Sequence, residues 1–253
     1  MMQSGATKFE TSTNTILGGS VQLVQPVDGY RASIDPIFLA ASIQAQNDET
    51  VLELGTGAGT AMLALAHRVP NLKITALEFQ REMVRLASHN IKINGFQDRL
   101  EVLHGDLLTP PPRLAASSFS HVMANPPYFE SNASIESANK TKSLSNHDNG
   151  VSLTKWVDFA YRMVKPKGYA SFVFTTERLD DLLAAIYGKF GEITLFPLWP
   201  KTGQKAKRII IQGRKNVKSP ARMLNGLIVH QDNGDYTPEA EAILKGAQGL
   251  DLI

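Results

Sequence analysis

Four consecutive residues, Asn125, Pro126, Pro127 and Tyr128, form the most specific chemical pattern in the sequence. The Asn125 side-chain oxygen and the Pro126 carbonyl can accept both N–H hydrogens of a planar amino group, which keeps electron density on its nitrogen. The prolines fix φ and remove competing donors. Tyr128 offers an aromatic face on which a flipped base can stack. We therefore expect these four residues to be catalytic, positioning a flat amino group for attack on an electrophilic carbon.

A glycine-rich pattern, G-x-G-x-G at Gly55, Gly57 and Gly59, follows a short apolar run. Glycines allow a sharp turn and let a ligand approach main-chain atoms. The spacing differs from the G-x-G-x-x-G of pyrophosphate binders, and an acidic residue, Glu53, lies just before it. A sulfonium cofactor carries no phosphate and tolerates that carboxylate, so Glu53 and Thr56 join the glycines as expected cofactor-binding residues. A tight strand-to-helix turn without a ligand is the alternative.

Two acidic residues follow the next two apolar runs. Glu78, about 23 residues past Gly55, is placed to accept the ribose hydroxyls of an adenosyl group, with Phe79 beside it. Nicotinamide enzymes use the same arrangement, so Glu78 does not by itself choose the cofactor. Asp106 is placed to bind the adenine amino group while Leu107 packs beside the ring; a turn or helix N-cap is the alternative for Asp106.

Composition excludes several functional classes. The chain has 253 residues, 43% of them apolar and 20% charged, which favours a globular core over a disordered chain. Cysteine is absent, so disulfides, thiolate metal sites and cysteine nucleophiles are excluded. The six histidines do not form the H-E-x-x-H pattern of zinc proteases, and we expect no metal. No apolar run reaches the roughly 18 residues of a membrane span, which predicts a cytoplasmic protein without membrane contact.

Basic residues cluster late in the chain. Eight of the 26 Lys and Arg residues lie between Lys201 and Arg222, where no Asp or Glu occurs. Such clustering favours a polyanionic partner, although lysines on an exposed hairpin are also common as solvated surface. The expected nucleic-acid contacts are Lys201, Lys205, Lys207, Arg208, Arg214 and Lys215.

Strand and helix patterns alternate from residue 50 onward, which predicts an α/β fold: a doubly wound, mostly parallel sheet with helices on both faces and a closing antiparallel strand pair. We expect a leader with a small hairpin over residues 1–33 and one domain over 34–253. A polar loop is predicted over 130–150. Predicted strands are 51–54, 72–77, 100–104, 120–124, 169–175, 193–198 and 208–212; predicted helices are 35–44, 60–68, 80–93, 153–164, 179–187 and 238–244, with a stop at 165–168.

These residues resemble the class I S-adenosylmethionine-dependent methyltransferases over about residues 30–213. Segments 25–36, 207–212 and 236–241, together with Asn125–Tyr128, more narrowly resemble the bacterial valine tRNA adenine-N6 methyltransferases. The resemblance implies S-adenosylmethionine as cofactor and, as substrate, the adenine immediately 3′ of a tRNA anticodon. It also implies two sets of cofactor contacts. Tyr30, Arg31 and Asp35 would lie over the cofactor, and Gly55, Gly57, Glu78, Asp106 and Asn125 would line it.

Two other functions fit the same residues. The Asn-Pro-Pro-Tyr pattern also resembles that of glutamine-N5 methyltransferases acting on proteins, whose target is likewise a planar amide nitrogen. Those enzymes commonly carry an extra helical N-terminal domain, whereas about 50 residues precede Glu53 here. A catalytically silent RNA-binding module on the same scaffold is the third possibility. The basic segment favours RNA as the substrate over protein.

Overall fold

The computed structural model describes residues 10–28, 33–128 and 151–252. An N-terminal hairpin pairs β1 (Thr11–Ile16) with β2 (Val21–Pro26), antiparallel. The remaining strands are β3 (Thr50–Leu54), β4 (Lys73–Glu78), β5 (Leu100–His104), β6 (Phe119–Ala124), β7 (Val164–Thr175), β8 (Phe190–Trp199), β9 (Arg208–Lys215), β10 (Arg222–Met223) and β11 (Leu227–Ile228). The helices are α1 (Asp35–Ser42), α2 (Thr60–Arg68), α3 (Arg81–Ile93), α4 (Leu153–Met163), α5 (Leu179–Ile186) and α6 (Pro238–Leu244).

One large sheet organises the fold. Its strand order is β10-β8-β9-β7-β6-β3-β4-β5, with β11 also pairing with β8. The pairs among β7, β6, β3, β4 and β5 are all parallel, whereas β9 runs antiparallel to both β7 and β8. The expected fold class is therefore confirmed, including the closing antiparallel pair.

Both faces of the sheet are covered, as a largely parallel sheet requires. Successive residues of β3 show this: Val51 belongs to an apolar cluster with α1, α2, α3 and α6, while Leu52 and Leu54 belong to a second cluster with α4 and α5. A strand buried on both faces is apolar at successive positions, and β3 is apolar at 51, 52 and 54, which is why the sequence pattern predicts the strand at 51–54.

The N-terminal hairpin packs into the first of these clusters. Leu17, Val21 and Leu23 are buried with the side chains of the helices. Asn90 of α3, fully buried, accepts a hydrogen bond from the Val24 N–H (2.9 Å) and donates to the Val24 carbonyl (2.8 Å). The hairpin thus shares its apolar core with the large sheet and is fixed to α3 through a buried amide side chain.

One predicted boundary is wrong: β7 begins at Val164 and not at residue 169. The helix α4 ends at Met163 as the predicted stop requires, but residues 165–168 are part of β7. The pairing with β6 shifts register between Phe119 and His121, and Lys167 has φ of +66°. Pro166 cannot donate to the ladder, and a Cβ on Gly168 would lie 2.6 Å from the carbonyl oxygen of residue 120. Proline and glycine here mark an irregular strand start, not a loop.

Most of the other predicted boundaries agree with the structure within one to three residues, whereas the two-residue strands β10 and β11 were not predicted. The predicted loop at 130–150 and the two residues Tyr30 and Arg31 lie outside the described residues.

Candidate active site

The glycine-rich loop and the Asn-Pro-Pro-Tyr segment leave neighbouring strands at the same edge of the sheet. Leu54 at the end of β3 pairs with Ala124 at the end of β6. Adjacent strands lie about 4.8 Å apart, so Gly55 and Asn125 begin side by side. After β3 the chain continues to β4, which lies on one side of β3, whereas β6 lies on the other side. This is the topological switch point at which open α/β sheets bind ligands.

The glycine loop is open on one side and tightly packed on the other. Gly55, Gly57 and Gly59 have φ of +67°, +56° and +94°, values that favour glycine. A Cβ on Gly55 would lie 2.6 Å from the Trp156 ring, whereas a Cβ on Gly57 would meet nothing within 4 Å. Gly55 is therefore required by a side chain of helix α4, and the open space lies over Gly57.

Glu53 supports the loop from within the protein. It is 4% exposed, and its Oε2 accepts hydrogen bonds from the Thr56 hydroxyl (2.7 Å) and the Met62 N–H (3.1 Å). Burial, with a smaller contribution from the nearby Glu78 charge, raises the pKa of Glu53 to about 8. Glu53 and Thr56 thus tie the end of β3 to the first turn of α2.

Glu78 connects the glycine loop to the neighbouring strand. Its Oε2 accepts from the Gly57 N–H (2.9 Å) and its Oε1 from the Gln80 N–H (2.8 Å). Each carboxylate oxygen has a second lone pair, so these two bonds leave acceptor capacity for hydroxyl groups. Asn90 adds a further support, donating to the Ala58 carbonyl (2.9 Å). Sequence reasoning missed Asn90, because nothing in its helical context distinguishes it.

Apolar side chains are exposed at the ends of β4 and β5. Phe79 is 46% and Leu108 54% exposed. Asp106 accepts from the Leu108 N–H through Oδ1 (2.9 Å), as a turn-forming aspartate does. Leu107 packs against the second apolar cluster, so Leu108, not Leu107, presents the exposed apolar surface here. In the sequence, only the neighbouring Leu107 indicated an apolar contact near Leu108.

The Asn-Pro-Pro-Tyr segment lies within a charged network. The Tyr128 hydroxyl is 2.8 Å from Asp35 Oδ2 and 3.0 Å from Asn125 Oδ1. Arg208 donates from Nε to Asp35 Oδ2 (2.9 Å), and its guanidinium lies 4.4 Å from the centre of the Tyr128 ring. Arg178 donates to the Tyr128 carbonyl (3.1 Å). Arg208 therefore covers one face of the tyrosine ring.

Comparisons with known proteins give a consistent result. The family model described as Methyltransferase small domain matches residues 33–144. A tRNA1(Val) (adenine(37)-N6)-methyltransferase of Vibrio parahaemolyticus is 32% identical, and the match spans 57% of this chain and only 59% of the relative. One of Glaesserella parasuis, with the same name, is 28% identical over 83% of this chain and 86% of the relative.

A solved structure has the same architecture. A protein of Agrobacterium tumefaciens described as a predicted O-methyltransferase superposes with a TM-score of 0.72 at 23% identity, over 85% of this chain and 98% of that one. The fold is that of the class I methyltransferases, and the family match and the named relatives indicate an S-adenosylmethionine-dependent methyltransferase. Family, fold and the place of the glycine loop in the fold all agree with this assignment.

The residues of this methyltransferase fit its cofactor. The space over Gly57 lets a ligand approach the main chain of the loop, and Glu78 lies beside it with acceptor capacity for ribose hydroxyls. The exposed Phe79 and Leu108 provide apolar surface of the kind that an adenine ring covers. Asn125 follows β6, the strand adjacent to β3, and so lies at the same edge of the sheet as the glycine loop.

For three of the residues expected to contact nucleic acid, the structure indicates a different role. Arg214 and Lys215 lie at the far end of β9, about 20 Å along the strand from Arg208. Arg214 pairs with Glu192 (3.0 Å); Lys215 is buried and donates to the Val164 carbonyl (2.8 Å). Their positions do not fit RNA binding beside the site, because the strand carries them to the opposite edge. Arg208 contacts Asp35 and Tyr128 in the site itself.

Neither a cluster of metal ligands nor a membrane-spanning helix occurs in the described part of the chain. Within 10–28, 33–128 and 151–252, no three His, Asp or Glu side chains come together as metal ligands would. Over the same ranges, no helix has the length and apolarity that a bilayer crossing requires.

Proposed function

We propose that this methyltransferase transfers a methyl group from S-adenosylmethionine to the exocyclic N6 of an adenine in tRNA, next to the anticodon. The observation that carries the proposal is the position of Asn125, at the end of β6 and beside the glycine loop at the end of β3. The names of the Vibrio and Glaesserella relatives support adenine N6 of a tRNA as the target. A tRNA-modifying enzyme acts in the cytoplasm.

The site performs this reaction mainly by positioning. Bound S-adenosylmethionine supplies an electrophilic methyl group on a positively charged sulfur. The Asn125 side-chain oxygen and the Pro126 carbonyl accept the two N6 hydrogens and hold the nitrogen lone pair toward that methyl group. The new N–C bond forms as the S–C bond breaks, and N6 then releases one proton to solvent. The face of Tyr128 opposite Arg208 stacks on the extruded base.

RNA reaches this site across the turn between β8 and β9. This basic turn, residues 200–207, follows Trp199 and precedes Arg208, which pairs with the last residue of β7. It therefore extends from the same sheet edge as Asn125. Lys205 and Lys207 are exposed on it, and Lys201 lines a cavity of about 660 Å³ beneath it, together with Trp199 and Gln204. These lysines are suited to phosphate contacts.

The direct test supplies labelled S-adenosylmethionine with deproteinised tRNA, then with a protein extract free of nucleic acid. We expect label in N6-methyladenosine after digestion of the tRNA. Label on protein glutamine instead would establish the glutamine-N5 alternative and reject the proposal. Nucleoside mass spectrometry of tRNA from a deletion strain and its parent identifies the modified position.

Replacement of Asn125 separates an enzyme from a silent RNA-binding module. We expect Asn125→Ala to lower kcat by about 10²–10³-fold, because a preorganised acceptor in the transition state is lost. RNA affinity, measured by fluorescence anisotropy, should change by less than about threefold, since phosphate contacts dominate it. A protein that never transfers the methyl group, with or without this substitution, would be the binding module.

The basic turn is tested by charge reversal. We expect Lys205→Glu with Lys207→Glu to weaken tRNA binding and to reduce the slope of log K against log salt by about one for each phosphate that is no longer neutralised. Lys218→Glu is the control and is compared with the single variants Lys205→Glu and Lys207→Glu, which reverse the same amount of charge. Lys218 is exposed in the same basic segment but lies beside Ser219, whose carbonyl accepts from the Glu192 N–H near the start of β8. Equal effects from both sets would move the RNA surface away from the turn.

A further inference from the structure

We infer that Asp35 and Arg208 are positioning residues for the methyl transfer: together they hold the Tyr128 hydroxyl proton away from Asn125. The Asn125 oxygen then accepts more strongly from the amino group of the substrate. This inference rests on the proposed function, since it concerns the acceptor that Asn125 offers to N6. It assigns Asp35 and Arg208 roles different from those expected from the sequence, which were cofactor contact and RNA contact.

Two oxygens compete for the single hydroxyl proton of Tyr128. The hydroxyl is within hydrogen-bond distance of both, with Asp35 Oδ2 at 2.8 Å and Asn125 Oδ1 at 3.0 Å. A phenol carries one proton, so it donates fully to only one of them. Which oxygen receives the proton decides whether Asn125 already accepts from the tyrosine when a substrate arrives.

The charge on Asp35 decides this competition. A hydrogen bond to an ionised carboxylate is roughly twice as strong as one to a neutral amide oxygen. Arg208 pairs with this carboxylate and orients it through its Nε, 2.9 Å from the same Oδ2. The Asp35 side chain is only 10% exposed, so water competes little for it. The proton therefore resides on the Asp35 side.

The same residues fix the tyrosine itself. The Arg208 guanidinium lies over the ring, 4.4 Å from its centre, and Phe174 packs against it in a T-shaped arrangement with the ring centres 5.7 Å apart. Arg178 donates to the Tyr128 carbonyl at 3.1 Å and so holds the backbone. With ring and backbone both held, the hydroxyl cannot move far from its position between Asp35 and Asn125.

The consequence for catalysis follows from how an amide oxygen accepts hydrogen bonds. An oxygen that already accepts a proton from tyrosine has less electron density for a second donor, so it would bind the substrate N–H more weakly. Weaker binding of that N–H would reduce the activation of N6. By drawing the proton away, Asp35 and Arg208 preserve Asn125 as an acceptor without touching either substrate.

A double-variant cycle tests this arrangement. Asp35→Asn keeps the shape of the side chain but removes its charge, so the tyrosine proton shifts toward Asn125; we expect kcat to fall about tenfold. Tyr128→Phe removes the competing proton together with the hydroxyl and should lower kcat less. Adding Tyr128→Phe to Asp35→Asn should then restore kcat to that of Tyr128→Phe alone.

Three further measurements accompany the kinetics. Calorimetry should give the same S-adenosylmethionine affinity for wild type and Asp35→Asn within about twofold. Equilibrium unfolding of the four proteins should show that the two substitutions are not additive in stability, because they break the same hydrogen bond. Arg208→Gln, at a side chain one-third exposed, replaces Asp35→Asn in the cycle if that variant does not fold.

The outcomes separate the two proposals. Additive losses of kcat in the double variant would overturn the positioning role, as would a large loss of cofactor affinity in Asp35→Asn, which would make Asp35 a cofactor contact. If wild type methylates a glutamine amide and not adenine, the proposed function fails. The same cycle is then run on that amide, whose N–H groups make the same demand on Asn125.

Discussion

Glu53 illustrates how one buried side chain makes stability depend on pH. Its carboxyl group lies beneath the glycine loop, and burial raises its pKa to about 8. The folded protein therefore binds this proton more tightly than the unfolded chain does. The stabilisation that this bound proton contributes is fully present below the unfolded pKa of about 4.5 and is lost as pH rises through 8.

We predict that Glu53→Gln is more stable than wild type at pH 9 and that the difference narrows toward pH 5. A single oxygen of Glu53 accepts both hydrogen bonds, from Thr56 and Met62, so the amide oxygen of glutamine can accept both as well. Each tenfold change in proton affinity between the folded and unfolded chain is worth about 1.4 kcal/mol of stability. Urea unfolding at pH 5, 7 and 9 measures the effect; a difference independent of pH would show that Glu53 is ionised in the fold.

Residue types and local spacing predict much of the candidate site. Asn125 and Gly55 are recognisable because their chemistry depends on immediate neighbours in the chain. Arg208 and Asp35 were each predicted to be functional, but their contact joins residues 173 positions apart and depends on strand register that no local pattern contains. Trp156 has no role that its sequence context predicts, since only the folded α4 shows that its ring faces Gly55.

At the scale of elements, the packing of α4 against the glycine loop makes two glycines unequal. Gly55 and Gly57 both have positive φ, but only Gly55 lies against the Trp156 ring. We predict that Gly55→Ala destabilises the protein by about 2–4 kcal/mol, from backbone strain and overpacking, and Gly57→Ala by about 1 kcal/mol, from strain alone. Chemical denaturation of both variants measures the difference.

The affinity for S-adenosylmethionine should depend on Gly57, although stability depends mainly on Gly55. Gly57→Ala places a methyl group in the open space of the loop, so its affinity for S-adenosylmethionine should fall by about tenfold or more despite its near-normal stability. Comparable stability losses for the two variants would indicate that Trp156 moves aside easily. An unchanged affinity in Gly57→Ala would place the cofactor elsewhere along the sheet edge.

The direction of β9 explains why the sequence alone does not show which residues of the basic segment lie near the site. In sequence, Lys207 and Lys215 appear as members of one cluster. In the fold β9 separates them, so that Lys207 lies at the edge carrying Asn125 and Lys215 is buried at the other. The apolar run predicts a strand through 208–212, yet which of its ends meets the site depends on pairing with β7.

For the molecule as a whole, the edge opposite the site contains a group sensitive to acid. His121 is 3% exposed, lies 3.1 Å from Glu49 through Nε2 and stacks on Tyr169, so it joins the starts of β3 and β6 to the middle of β7. Burial lowers its pKa, against the opposing effect of Glu49, with a smaller lowering by Arg68. The folded protein therefore binds a proton at His121 less readily than the unfolded chain does.

We predict that the stability of wild type relative to His121→Gln falls as pH drops below about 6.5, because the unfolded wild-type chain then binds a proton that the fold resists. The comparison between the two proteins cancels the opposite contribution of Glu53, which both contain. Urea midpoints at pH 7.5 and 5.5 for both proteins measure the change, and S-adenosylmethionine affinity at pH 7.5 serves as a control that should not move. The same change in midpoint for both proteins would show that His121 does not contribute to acid sensitivity.

The antiparallel course of β9 has a consequence for a chain that is still being synthesised. The glycine loop, Glu78 and Asn125 all leave the ribosome well before Arg208, which arrives last among the residues around Tyr128. A nascent polypeptide can therefore assemble the donor-binding half of the sheet first. Competence to modify a nucleotide would then be acquired only when the returning strand inserts beside β7, late in translation.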